Sequence, residues 1–203
     1  MSAPRTARVS VWPRTTTAAG IQAAIDGGVH SIEHGSEATD AMLAAMRDKG
    51  IALVPVALTA EAIRDTFLSD RLPTEAEKTA ADKEISAFID NLTRLIQRAA
   101  KLGVKIAAGS DMWMRYPGKT RGDATQVMLE ALVRAGMPPA DVIRSATVTA
   151  ADVLGWSDLV GALEAGRFAD VIAVNGDPLA DIAALKRVTF VMKGGTVVRS
   201  QPR

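Results

Sequence analysis

His34 and Asp111 are the two residues whose types and places best suit chemistry. His34 ends the apolar run VHSIEH and precedes a glycine, and Asp111 closes the run VKIAAGSD. Imidazole nitrogen and carboxylate oxygen both ligate zinc and similar divalent metals. A carboxylate beside an activated water also serves as a general base. Each has a structural reading as well. A histidine at a strand end can be held there by hydrogen bonds, and an aspartate after Gly-Ser can cap a helix or close a turn. The only other histidine, His30, stands four positions before His34. That offset suits a ligand pair on a helix, but VHSIEH reads as a strand, so His30 is placed at the surface or behind the site. Glu33 alternates to the strand face opposite His34, which suggests a salt bridge among the surrounding helices.

The loop DMWMRYPGKTRGD follows directly and carries Trp113, Arg115, Tyr116, Lys119 and Arg121. Aromatic and cationic side chains on a loop beside such a pair suit a substrate with a carboxylate or an aromatic group. The competing reading is a solvated loop whose aromatics pack on the rim of the fold. No GxSxG, P-loop or GxGxxG sequence occurs, so serine hydrolase and nucleotide chemistry have no anchor.

The elements that must position these residues follow a repeat: short apolar strand, polar loop, helix, glycine. The first strand is expected at residues 8 to 12, RVSVW, and the second is VHSIEH. IALVPVAL and VKIAAGSD are read as the third and fourth. Helices are expected at AAGIQAAIDGG, at DAMLAAMRDKG and, within a long segment of about residues 60 to 102, over TEAEKTAADKEISAFIDNLTRLIQRAAKLG. In the last, Ile85, Phe88, Ile89, Leu92, Leu95 and Ile96 recur at helical spacing. A further helix covers DATQVMLEALVRAG, and two short ones lie in PPADVIRSATVTAADVLG. Alternating strands and helices imply a parallel sheet covered by helices, with every strand ending on one face. Such folds bind ligands at that face. From about residue 160 the pattern changes to strand-like runs with a hairpin signal at Gly194-Gly195. The expected division is a partial (β/α) barrel over 1–158 and a small β-sandwich portion over 159–203.

Bulk properties bound the function classes. The chain has 203 residues, with 24 basic and 23 acidic side chains, so no basic field argues for nucleic acid. It has no cysteine, which excludes a disulfide framework and a thiol nucleophile. No apolar run reaches the roughly 18 residues of a membrane span. The expected location is cytoplasmic.

Several segments together resemble the amidohydrolase superfamily. They are GVHSIEHGS, KLGVKIAAGSDM, YPGKTRGDA, LVRAGMPPADVIRSATVTAADVLGW, GALEAGRFADVIAVNGDPLADIAAL and VTFVMKGGTVVR. The branch they are most similar to is that of the prolidase-like and imidazolonepropionase-like metal-dependent hydrolases. The resemblance implies α/β architecture: half of a (β/α)8 TIM-type barrel, strands 5 to 8 of the family, with a small C-terminal β appendage. It implies that His34 is the metal-binding histidine of the family's sixth strand. Asp111 then matches the eighth-strand aspartate, which binds metal and handles the proton of the attacking water. The implied reaction is hydrolysis of amide or ester bonds in dipeptide-like or N-acyl amino acid substrates. The implied cofactor is a divalent metal, zinc first.

The chain departs from the family pattern in three places. It has no HxH pair, no strand-4 lysine or glutamate, and no histidine at the expected fifth-strand position, where Trp12, Arg14 and Thr16 stand. The implied metal site is therefore incomplete, since about three or four protein ligands are usual. Two expectations follow. Either a homodimer or a partner chain completes the barrel and the site, or the chain is a shortened, metal-free form acting as a binding module, subunit or repurposed enzyme.

Overall fold

The computed structural model describes residues 14–67, 74–111, 118 and 120–200. The expected strand at residues 8 to 12 lies outside them, as do Trp12, Trp113, Arg115, Tyr116 and Lys119. Three short strands, β1 (Arg14–Thr15), β2 (Ser31–His34) and β3 (Ala52–Val54), form a parallel sheet in that order. The register sets Thr15 across from His34 and Glu33 across from Val54.

The helices begin where side-chain caps satisfy free backbone amides. The Thr17 hydroxyl accepts from the Gly20 amide to start α1 (Ala18–Asp26), and Thr39 accepts from Met42 to start α2 (Asp40–Lys49). Arg47 and Lys49 occupy the last turn of α2, where cations suit the helix dipole. Gly50 then ends the helix at φ 70°, a left-handed position open to glycine. The helix expected over TEAEKTAADKEISAFIDNLTRLIQRAAKLG is α4 (Glu75–Lys101), and a shorter helix, α3 (Ala60–Phe67), precedes it in the same long segment. Thr74 and Glu77 form a reciprocal capping box that fixes the start of α4. Phe88, placed on the buried face by spacing, is 47% exposed, and the buried residues of α4 are Ile85 and, in its last turns, Leu95, Ile96 and Ala99. Next come α5 (Arg121–Arg134), α6 (Pro139–Ala146) and α7 (Val148–Val153).

The expected fourth strand is reduced to a single parallel bridge between Ile106 and Leu53. The Leu53 amide donates to the Lys105 carbonyl at 2.8 Å, and the Ala107 amide donates to the Leu53 carbonyl at 2.9 Å. The Ala108 amide points away from β3 and donates to the Ser145 carbonyl of α6, at 3.0 Å.

Alternation divides the sheet faces. Ile32 and Leu53 are fully buried against Ile21, Ile25, Leu43, Met46 and Leu95 of the helices. Each such side chain contributes about 1.5–3 kcal/mol by burial. Ser31 and Glu33 alternate to the other face of β2. On that side Val54, Val56 and Ala107 make a small separate cluster, packed against Val153.

The C-terminal part is an antiparallel sheet, β4 (Val171–Val174), β5 (Val188–Lys193) and β6 (Thr196–Ser200), in sequence order. The turn at Gly194-Gly195 has φ of 54° and 82°, the two positive values a tight hairpin turn requires. A 3-10 helix, Ile182–Lys186, anchors this part: Ile182 belongs to the main core and Lys186 pairs with Glu130 of α5.

Candidate active site

His34 is the last residue of β2, and Asp111 follows the run that carries the Ile106 bridge. His34 Nε2 lies 3.7 Å from Asp111 Oδ2, and each side chain is a little over one-fifth exposed. The two residues, 77 positions apart in the chain, therefore meet at one end of the sheet. Nε2 is buried and makes no hydrogen bond with the described residues. A buried nitrogen in that condition costs free energy unless a donor or a cation occupies its lone pair.

The backbone here is strained. His34 has φ 64°, Asp111 45° and Val56 52°, and these are the positive-φ residues other than glycine among those described. All three stand at or just past the sheet's C-terminal edge. Left-handed backbone costs a side-chain-bearing residue about 1–2 kcal/mol, and such strain gathers where function holds it. Two glycines allow the close approach. A Cβ on Gly35 would meet Leu53 Cδ1 at 2.9 Å, and one on Gly109 would meet Val54 Cγ1 at 2.6 Å.

The other sequence candidates separate. His30 precedes β2, and its carbonyl accepts from the Ala52 amide at 3.0 Å. Four residues of extended chain, about 13 Å, place it at the far end from His34. Arg121 opens α5 beside its cap Thr120 and is exposed. At the expected fifth-strand position, Arg14 pairs its backbone with Glu33, and the Thr16 carbonyl accepts from the Glu37 amide at 3.1 Å. Among the described residues, no group of three or more His, Cys, Asp or Glu side chains converges as a metal cage. His34 Nε2 and the adjoining Asp111 carboxylate oxygen are two groups of the chemical type a divalent metal takes as ligands.

Sequence reasoning did not single out Val56, Gly109 or Ser31. Ser31 is 1% exposed, and its hydroxyl makes no hydrogen bond. The available signals were a glycine just past a strand and the Val-Pro-Val step at Val54 to Val56.

The amidohydrolase family model matches residues 14–198. Ochratoxinase of Aspergillus niger is 35% identical over 185 residues, covering 89% of this chain and 36% of that protein. Imidazolonepropionase of Geobacillus kaustophilus is 31% identical over 106 residues, covering 50% of this chain and 24% of that protein. A Xaa-Pro dipeptidase structure with bound methionine superposes with TM-score 0.75 and 28% identity, over 93% of this chain and 44% of that one. The structure of A. niger ochratoxinase gives TM-score 0.73 and 33% identity, over 93% and 41%. The chain thus spans less than half the length of these relatives, as half of a (β/α)8 barrel with its small β-sheet does. It belongs to the amidohydrolase family.

Proposed function

We propose that this chain carries the second half of a metal-dependent hydrolase site, with His34 and Asp111 as its chemical residues. The observation that carries the reading is the buried, unpartnered His34 Nε2 lying 3.7 Å from the Asp111 carboxylate on strained strand-end backbone. His34 and Asp111 would hold a divalent metal, zinc first, through Nε2 and a carboxylate oxygen. Such an ion, when bound, makes water nucleophilic near neutral pH and polarises a carbonyl. Asp111 takes the proton of the attacking water and returns it to the leaving nitrogen or oxygen as the carbonyl carbon–heteroatom bond breaks. The relatives named as a Xaa-Pro dipeptidase and an ochratoxinase support dipeptide-like or N-acyl amino acid substrates. Arg121, with Trp113, Arg115, Tyr116 and Lys119 on the loop after Asp111, would receive the substrate carboxylate. The remaining ligands come from a second copy of the chain or from a polypeptide carrying the first half of the barrel. On this reading the sequence divides into a barrel part over 1–158 and a β part over 159–203.

A second reading, a metal-free subunit or binding module, is favoured by the absence of a three-ligand cluster among the described residues. Metal analysis, with hydrolysis of Xaa-Pro dipeptides and N-acyl amino acids measured before and after chelation, separates the two. Bound zinc and chelator-sensitive turnover support the first. No metal, together with turnover indifferent to chelator, overturns it.

A further inference from the structure

The two ends of the parallel sheet use left-handed backbone differently. Shortly before β2, β3 and the run that carries the Ile106 bridge, the chain turns at Gly28, Gly50 and Gly103, with φ of 68°, 70° and 77°. Glycine takes this conformation without steric cost. At the opposite end the left-handed residues other than glycine, among those described, are His34, Val56 and Asp111. Two of them carry the chemical groups of the site. The third carries only hydrocarbon, and a β-branched residue is among the least suited to positive φ. A turn alone would call for glycine, so the side chain accounts for valine at this place.

β3 pairs with β2 on one side and with the Ile106 run on the other. His34 and Asp111 thus belong to runs separated by β3, roughly 9–10 Å apart at the ordinary strand spacing. Yet His34 Nε2 lies 3.7 Å from Asp111 Oδ2, so the two side chains meet across the end of β3. An extended continuation of β3 would advance about 3.3 Å per residue into that space. Val56, two residues past the last residue of β3, turns the chain instead. Its side chain is 8% exposed and belongs to the small cluster with Val54 and Ala107, against which Val153 packs. The neighbouring runs close tightly on β3. Leu53 Cδ1 holds the space a Cβ would need at Gly35, and Val54 Cγ1 holds it at Gly109. We infer that Val56 is a positioning residue: its buried side chain locks the left-handed turn that ends β3 and thereby fixes the separation of His34 and Asp111. The chemical value of that separation rests on the hydrolase reading above, whereas the separation itself is a property of this chain.

The test reads the pair by NMR in the metal-free chain. His30 and His34 are the two histidines of the sequence, so His30→Gln identifies the imidazole signals of His34. At fixed pH, Asp111→Asn should shift those signals. Val56→Ala keeps the β-carbon that strains the turn and removes the methyl groups that anchor it, so the response of His34 to Asp111→Asn should be lost. Val56→Ile keeps the anchor and should keep the response. Val56→Gly frees the backbone and removes the anchor. It should fold and lose the response, and it decides the matter if Val56→Ala does not fold. Val142→Ala makes the same truncation at a fully buried position of α6, and should lower the melting temperature with the response intact. A response retained in folded Val56→Ala or Val56→Gly overturns the inference, as does its loss in Val142→Ala or its absence from the wild type. In the zinc-loaded hydrolase, Val56→Ala should lower kcat by about 10–100-fold with KM nearly unchanged, and an unchanged kcat also overturns the inference. A wild type that shows the response, yet neither binds zinc nor turns over dipeptides, defeats the hydrolase reading and leaves this one standing.

Discussion

His34 and Asp111 each combine a chemical group with a backbone conformation that resists most replacements. Asparagine tolerates left-handed backbone better than most residues, so His34→Asn and Asp111→Asn isolate the chemistry from the fold. Asp111→Asn removes the proton acceptor and keeps the shape. In the complete hydrolase we expect turnover to fall by about 10²–10⁴-fold, with the melting temperature nearly unchanged. Turnover that survives the substitution would remove Asp111 from the chemistry. His34→Asn should abolish zinc uptake measured by calorimetry, because Nε2 is the donor without another partner. The sequence made these two residues legible through strand-end placement and family likeness. It did not make their strain legible, because a positive φ at a histidine or a valine leaves no mark in composition or periodicity. It also could not show that His30 and His34 part company: that depends on the segment being extended rather than helical, a choice the packing of Ile32 enforces.

At the scale of elements, glycines marked the ends of the early helices, whereas the starts set by Thr39, Thr74 and Thr120 rest on side-chain bonds to amides in the following turns. The fourth strand was harder to read. VKIAAGSD has strand composition, but pairing depends on a neighbour, and among the described residues the run pairs with β3 through the isolated Leu53–Ile106 bridge. The glycines of this region differ in their tolerance. Gly109→Ala drives a Cβ against Val54 Cγ1 at 2.6 Å, so it should cost about 1–3 kcal/mol. Gly122→Ala meets Thr120 Oγ1 at an ordinary 3.5 Å inside α5, so it should stabilise by about 0.4–1 kcal/mol. Thermal melts of the pair should therefore move in opposite directions, and equal shifts would contradict the close approach at Gly109. The β5–β6 hairpin carries its own titration. A hydrogen bond from Lys193 Nζ, then one from the Gly194 amide, holds the Asp170 carboxyl below its usual range. A depressed carboxylate stabilises fully above the ordinary aspartate value, near ~4, and loses that contribution as pH falls through the folded value. The difference in melting temperature between the wild type and Asp170→Asn should thus be present at neutral pH and fade in acid. A difference that grows in acid would reverse the assignment.

Among the described residues the chain presents half of a parallel barrel with β1 at one end of the strand order, a far side reduced to one bridge, and, on the reading proposed above, two of the about three or four ligands a metal site takes. Unpaired edges and an incomplete ligand set have one common remedy, a further layer of polypeptide that closes the sheet and brings the remaining donors. Catalysis should then be a property of the assembly. With zinc in excess and a dipeptide substrate, specific activity is the quantity to follow as chain concentration rises. If a second copy closes the barrel, specific activity climbs with concentration and levels off as a dimer accumulates in light scattering. If a different polypeptide closes it, specific activity stays at background at every chain concentration and appears only when that polypeptide is added. Zinc affinity should rise in step with activity in either case, because the same closure supplies the missing ligands. Full specific activity from a species that remains monomeric on dilution would show that His34 and Asp111 suffice, and that the open half-barrel is the working enzyme.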